Sequence, residues 1–263
     1  MRLVDAPNAG SGFDGPVHQG DWQPGWSGRT EDLHVLCSAP LLRGLDPADV
    51  AALLPGFRVA AVGRNFELRT QGESGGPQVF VVLAGRFAVT RRHQLGWAVT
   101  AVLGPGDFVG ELGVFDPDRQ TSTMRALTPA RVAVVYGQDL FAWATTRPHA
   151  SARLLQVLAR RLRRTDAAVT EFAVVDVQGR VAGALLDLAD RFGEPHGSTV
   201  RVAHGLTQVQ LAQLVGASRK RVNKVLSDFT SRGWLRQHHR SVVLTDLPQL
   251  RQWAQERASP WAW

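Results

Sequence analysis

The 263-residue chain reads as an α+β protein with a β-rich unit, a long helix carrying a narrow apolar seam, and a C-terminal helical unit. Three observations predict this. Between Gly56 and Tyr136, short β-rich runs are broken by glycine and proline, a spacing that argues for a sandwich or barrel. From Pro148 the apolar period becomes helical and stays so for about thirty residues. Between Leu206 and Leu235, two short apolar-faced helices flank a glycine, and the second helix carries a row of cations.

Residues 1–30 are rich in Gly, Pro, Asn, Asp and Ser, with Trp22 and Trp26 as the large anchors; this composition reads as a mobile N-terminal arm. Ordered structure is expected over 31–147. Asp46–Pro47 supplies an N-cap followed by proline at the first helical position, and Val50, Leu53 and Leu54 give that helix its apolar face. The predicted strands are Phe57–Val62, Val79–Leu83, Phe87–Thr90, Trp97–Leu103 and Val132–Tyr136. Gly63, Gly72, Gly75–Gly76, Gly85 and Gly104–Gly106 turn the corners.

Residues 148–175 form the predicted dimerisation helix. Leu155, Leu158, Leu162, Thr165, Val169 and Phe172 alternate at spacings of three and four. Such a seam suits a parallel two-stranded coiled coil, and therefore a homodimer. The other reading is a helix lying along the β unit. A hinge falls near Val174–Val177, and residues 176–263 form the last unit. Asp176 caps its first helix, whose apolar face is Val181, Ala184, Leu185 and Leu188.

The helix pair in that unit has a tight logic. Leu211, Leu214 and Val215 face the core, and Gly216 takes the positive φ that ends the first helix. Ser218 caps the second. Val222, Val225, Leu226 and Phe229 repeat at i, i+3, i+4 and i+7, so Lys220, Lys224 and Ser227 must point outward, flanked by Asn223, with Arg219 at the helix start. A helix so armed fits the DNA major groove, where Arg and Lys meet guanine and Asn meets adenine. The alternative is a helical pair with a merely solvated basic face. Two strands, Trp234–Leu235 and Ser241–Leu244, bracket a wing at Gln237–Arg240, and Leu247–Arg257 forms a last helix. The candidate DNA-contact residues are Thr207, Gln208, Ser218, Arg219, Lys220, Asn223, Lys224, His239 and Arg240.

Charge concentrates in the same place. Arg201–Arg240 contains eight cations and one acid, an excess equal to the formal +7 of the whole chain. That excess sits where it would neutralise phosphates. The single cysteine, Cys37, excludes an intramolecular disulfide framework and any four-cysteine cluster within the chain. No apolar run approaches a membrane span, and the N-terminus lacks the apolar core of a signal peptide, so a cytoplasmic protein without membrane association is expected. No nucleophile–base pair, metal cluster or phosphate loop with lysine stands out, so an enzyme is not expected.

A second motif is Gly104-Pro-Gly-Asp-Phe-Val-Gly-Glu-Leu-Gly-Val-Phe115. Its glycines are not spaced as a dinucleotide fingerprint. It offers a glycine turn, then Gly110–Glu111–Leu112 opening a short helical turn, with backbone N–H groups suited to a phosphate and a carboxylate suited to a ribose hydroxyl. With this phrase, the glycine-cornered β unit, the seam helix and the SRKRVNKVL helix, the chain over about residues 32 to 250 resembles the cyclic-AMP receptor protein / fumarate–nitrate regulator superfamily. The resemblance implies a cyclic-nucleotide-binding-like jelly roll, a parallel dimer helix and a C-terminal winged helix-turn-helix. It also implies a bacterial homodimeric transcription regulator that reads inverted-repeat double-stranded DNA and contacts RNA polymerase.

The resemblance carries over residue by residue. Gly110, Glu111 and Leu112 match the effector element. The Arg-Ser or Arg-Thr pair that grips the cyclic phosphate in the cyclic-AMP-binding branch falls on Gln120–Thr121, and Arg119 stands one residue early, where a bulge would be needed to use it. Losing one charge-assisted bond to phosphate costs about 1.5–3 kcal/mol. Arg161 matches the arginine that pairs with the pocket glutamate, Thr165 matches the threonine that meets adenine, and Asp166 replaces a serine or asparagine. Two readings follow: a regulator controlled by cyclic AMP, another nucleotide or another small effector, and an effector-independent DNA binder with a degenerate pocket. On the DNA side, Arg219, Lys220 and Lys224 occupy positions that are Arg, Glu and Arg in the branch reading TGTGA half-sites, so a different half-site is expected.

Overall fold

The computed structural model describes residues 28–72, 76–94, 96–116 and 121–257. The predicted arm up to residue 27, with Trp22 and Trp26, and the effector-site candidates Arg119 and Gln120 lie outside the described residues. The first unit is a sandwich of two four-stranded antiparallel sheets. One sheet is built from β1 (Arg58–Val62), β8 (Ala130–Tyr136), β3 (Gln78–Ala84) and β6 (Phe108–Val109), in that order. The other runs β2 (Glu67–Arg69), β7 (Thr123–Ala126), β4 (Phe87–His93) and β5 (Gly96–Leu103). All five predicted strands are present, β4 being longer than expected. The strands not foreseen, β2, β6 and β7, are only two to four residues long, too short for a period-two pattern to declare itself.

The central strands are apolar on both faces because each face meets a different core. On β3, Phe80 and Val82 point between the sheets, where they meet Phe87, Val89 and Met124. Val79, Val81 and Leu83 point the other way, toward helices. Those helices are α1 (Thr30–Ser38), α2 (Pro47–Leu53), α4 (Gly137–Thr146) and the start of α5 (Pro148–Val174). α2 follows the Asp46–Pro47 prediction, although the Asp46 side chain makes no capping bond. α1 begins at Thr30, inside the stretch assigned to the arm. It is anchored by Asp32, which is buried and accepts from Arg131 of β8 at 2.6 Å. α4 was not foreseen; it starts at a glycine without a side-chain cap, so the usual start signal is missing.

The N-terminal part of α5 packs on the sandwich through Ala150, Leu154, Val157 and Leu158. Leu155, Leu162 and Val169, one heptad apart, remain well exposed in the single chain, as a seam awaiting a second copy requires. Leu158 departs from the predicted seam, whereas Phe172 stays half exposed. Leu158 turns inward, and the Phe172 ring is seated against Gly216, where a Cβ would lie 2.4 Å from it.

The C-terminal unit opens with α6 (Val177–Phe192), capped by Asp176, whose Oδ1 accepts from the Gly179 N–H at 2.7 Å. An unforeseen hairpin, β9 (Gly193–His196) and β10 (Thr199–Val202), follows. Then come α7 (Gln208–Leu214), α8 (Arg219–Ser231), β11 (Leu235–His238), β12 (Ser241–Leu244) and α9 (Leu247–Arg257). The sheet order is β11-β12-β10-β9, so the wing is the outer hairpin. The wing turn is narrower than expected, because Gln237 and His238 are paired strand residues and the turn is His239–Arg240, with Arg240 at φ +56°. One continuous core joins this unit to the sandwich: Ala88, Val99, Val102 and Leu127 pack with Leu206, Leu211, Ala212 and Phe192.

Candidate nucleic-acid interface and effector pocket

The predicted DNA face is assembled by two caps. The Thr207 hydroxyl accepts from the Gln210 N–H at 3.2 Å, and the Gln210 side chain accepts in return from the Thr207 N–H at 2.9 Å. This capping box starts α7. Ser218 accepts from the Arg221 N–H at 3.3 Å and starts α8. Gly216, at φ +60°, makes the turn between them. Val222, Val225, Leu226 and Phe229 are buried as the periodicity requires, and Arg219, Lys220 and Lys224 are exposed.

Gln208 ties the two helices together at this face. Its Oε1 accepts from Arg219 at 3.4 Å and from Asn223 at 3.2 Å. The helix-pair face continues into the wing: a groove of about 470 Å³ is lined by Thr207, Gln208 and Arg219 on one side and by His239 and Arg240 on the other. The structure thus brings Thr207, Gln208, Arg219, His239 and Arg240 to one groove, while Lys220 and Lys224 stand outward on α8. Beneath lies His204, which sequence reasoning passed over. It is buried, its Nδ1 accepts from the Leu206 N–H at 3.1 Å, and burial together with the Arg86 charge lowers its pKa to about 4. A lone histidine after an alanine carried no sequence signal of this role.

The effector candidates collect where β6 runs into the short helix α3 (Leu112–Phe115). Gly110 sits at φ +106°, and a Cβ there would lie 2.1 Å from the Gln78 carbonyl oxygen, so only glycine fits this close approach. Glu111 is completely buried. One carboxylate oxygen pairs with Arg161 of α5, and the other, Oε2, has no hydrogen-bond partner. A buried carboxylate oxygen left unpaired is costly and calls for a partner. Leu112 and Thr121 are exposed. On α5, Thr165 is exposed and its hydroxyl donates to the Arg161 carbonyl at 3.1 Å, while Asp166 is exposed one residue on. No group of three or more metal-ligating side chains occurs among the described residues, nor a helix long and apolar enough to cross a membrane.

The pocket is wired to the DNA unit through the glycine turn before it. Arg191, at the end of α6, donates to the Val102 carbonyl at 2.7 Å and to the Asp107 carboxylate at 2.6 Å. Asp107 also accepts from the Gly104 N–H at 2.8 Å. The guanidinium groups of Arg86 and Arg191 lie 5.1 and 4.7 Å from the centre of the Phe192 ring.

A ligand-domain sandwich joined by a long seam helix to a winged helix-turn-helix defines a transcription regulator rather than an enzyme. The comparisons with known proteins agree. Residues 64–146 match the family described as cyclic nucleotide-binding domain, and residues 179–253 match the Crp-like helix-turn-helix domain. A CRP-like cAMP-activated global transcriptional regulator of Mycobacterium tuberculosis is 40% identical over 82% of this chain and 96% of its own length. The cAMP-activated global transcriptional regulator CRP of Escherichia coli O157:H7 is 30% identical over 66% of this chain and 83% of its own. A CRP/FNR-family transcriptional regulator from Thermus thermophilus shares the fold, with a TM-score of 0.64 at 22% identity over 76% of this chain and all of the other. The chain belongs to the CRP/FNR superfamily, and it is a DNA-binding transcription regulator.

Proposed function

We propose that a cyclic nucleotide bound in the sandwich of each protomer controls operator binding by the dimer. The observation that carries this is the buried Glu111 carboxylate, with one oxygen held by Arg161 of the seam helix and the other unpaired. A ribose hydroxyl is the donor such an oxygen lacks. Gly110 and Leu112 would flank the phosphate and sugar, Gln120 and Thr121 hold the sequence positions of the usual phosphate pair with Arg119 one residue before them, and Thr165 and Asp166 would meet the base. The M. tuberculosis and E. coli relatives are described as cAMP-activated, which supports the same reading. An effector-independent binder would have no need to keep an unpaired carboxylate oxygen dry, so the degenerate-pocket reading is the weaker one.

On DNA, Arg219, Lys220, Asn223 and Lys224 would read base edges of each inverted half-site, while Thr207, Gln208, Ser218, His239 and Arg240 would hold phosphates. RNA polymerase is the expected partner at the promoter, and the cytoplasm is the expected compartment. Fluorescence anisotropy of the dimer on its own promoter DNA at fixed salt, with and without cyclic AMP, tests the reading. A gain in affinity with nucleotide that disappears in Glu111→Gln supports it. Tight binding unchanged by cyclic AMP in the native chain overturns effector control by this nucleotide and leaves the effector-independent regulator.

A further inference from the structure

The β4–β5 hairpin carries a feature that the helix-turn-helix does not need. Its tip reads Thr90-Arg91-Arg92-His93-Gln94 and then Gly96-Trp97-Ala98, with two arginines and no acid. Arg91, Arg92, Trp97 and Ala98 are all exposed, and among the described residues neither arginine forms an ion pair. Arg92 lies directly across from Trp97 in the ladder, with its guanidinium 5.6 Å from the centre of the Trp97 ring.

The hairpin's orientation follows from its register. Thr90 pairs with Val99, and the register then shifts between Val89 and Thr90, so that Ala88 comes opposite Val102. The bulge thereby keeps Val99 and Val102 on one face, where both are buried against the helical unit together with Leu211 and Ala212 of α7. Alternation along the strand puts Trp97 on the Val99 face, and cross-strand pairing puts Arg92 there too. That face continues into the DNA-reading surface. Trp97 and Ala98 share one open groove of about 630 Å³ with Gly216, Ala217, Ser218 and Arg221, the turn and first residues of α8.

We propose that this hairpin is a second DNA-contacting element, in which Arg92, braced by Trp97, neutralises backbone phosphates beside those met at the start of α8. The partner is double-stranded DNA, recognised by charge and not by sequence. The inference rests on the DNA-binding assignment above and extends the protein's footprint onto the β unit. The physics is that of counterion release: each neutralised phosphate contributes to affinity for any sequence and to its fall with salt. An arginine stacked on an indole loses less conformational freedom on meeting a phosphate than a free one does.

The test uses the full-length dimer, saturated with cyclic AMP, on labelled promoter duplex and on a random duplex of equal length, across a salt series. Arg92→Ala removes two cations per dimer. The log–log salt slope should fall by about two and affinity by on the order of tenfold at low salt, equally for both duplexes. Arg92→Lys should retain most of the slope. An unchanged slope and affinity in Arg92→Ala overturns the proposal. So does an equal loss in Arg92→Ala and Arg92→Lys, which would mark a packing role. Unchanged duplex binding with altered transcription in a reconstituted RNA polymerase assay also overturns it and assigns the hairpin to a protein. A native chain that fails to bind the promoter duplex at all would sink the DNA-binding assignment itself, and this proposal with it.

Discussion

Gly104 is the seat of Phe192: a Cβ added at Gly104 would lie 2.2 Å from the ring. The glycine thus lets the end of α6 lie against the turn that leads to Glu111, and Arg191 ties the same turn through Asp107. Gly104→Ala should therefore act on the joint and not on either unit. Its backbone φ needs no glycine, so steric overlap is the whole effect. Displacing a packed ring costs about 1–3 kcal/mol. Scanning calorimetry should show the melting of the two units further separated in Gly104→Ala than in the native chain, with the helical unit melting earlier.

His204 gives a pH signature. Burial and the Arg86 charge lower its pKa to about 4 from the ordinary 6.5. The native chain therefore keeps it neutral where the unfolded chain binds a proton. The sign is fixed by that difference: the stability is full above about pH 6.5 and is lost as pH falls toward 4. Urea unfolding at pH 7.5 and 4.5 should show a loss about 2–3 kcal/mol larger in the native chain than in His204→Asn. The asparagine keeps an acceptor for the Leu206 N–H but does not titrate. Equal losses in both proteins would refute the assignment.

The elements most legible in the sequence were those with long, uninterrupted periods or chemical punctuation. α8 declared itself through Ser218 and a four-residue apolar face, and α5 through its heptads. Short pieces such as β6 and α4 lacked both signals. The Glu111–Arg161 pair was legible only through the family resemblance, because 50 residues of chain separate its members. The joint between the units left no trace at all. Val99 and Val102 look like ordinary strand interior, and only the bulge in the β4–β5 pairing turns both toward α7.

The seam can be tested without disturbing the fold. Leu162 is 63% exposed in the single chain, so Leu162→Glu leaves the protomer's own packing intact while placing like charges against each other in a parallel pair. Sedimentation velocity should show a shift from dimer to monomer at micromolar concentration with an unchanged far-UV spectrum. Promoter binding should weaken by at least a hundredfold, since two tethered half-site readers become two independent ones. A stable dimer in Leu162→Glu would place the dimer contact elsewhere.

Arg219 and Lys224 should separate reading from holding. Arg219 is positioned by Gln208 at the start of α8, where a guanidinium suits the two acceptors of guanine, whereas Arg201 lies exposed on β10. Arg219→Ala should cost about 1–3 kcal/mol on the promoter duplex and far less on random DNA, collapsing the specificity ratio. Lys224→Ala should do the same at a neighbouring base. Arg201→Ala should weaken both duplexes alike and lower the salt slope by about one per cation lost. If Arg219→Ala left the ratio of promoter to random binding unchanged, α8 would not be the reading helix, and the unreached bases would have to be read from the wing.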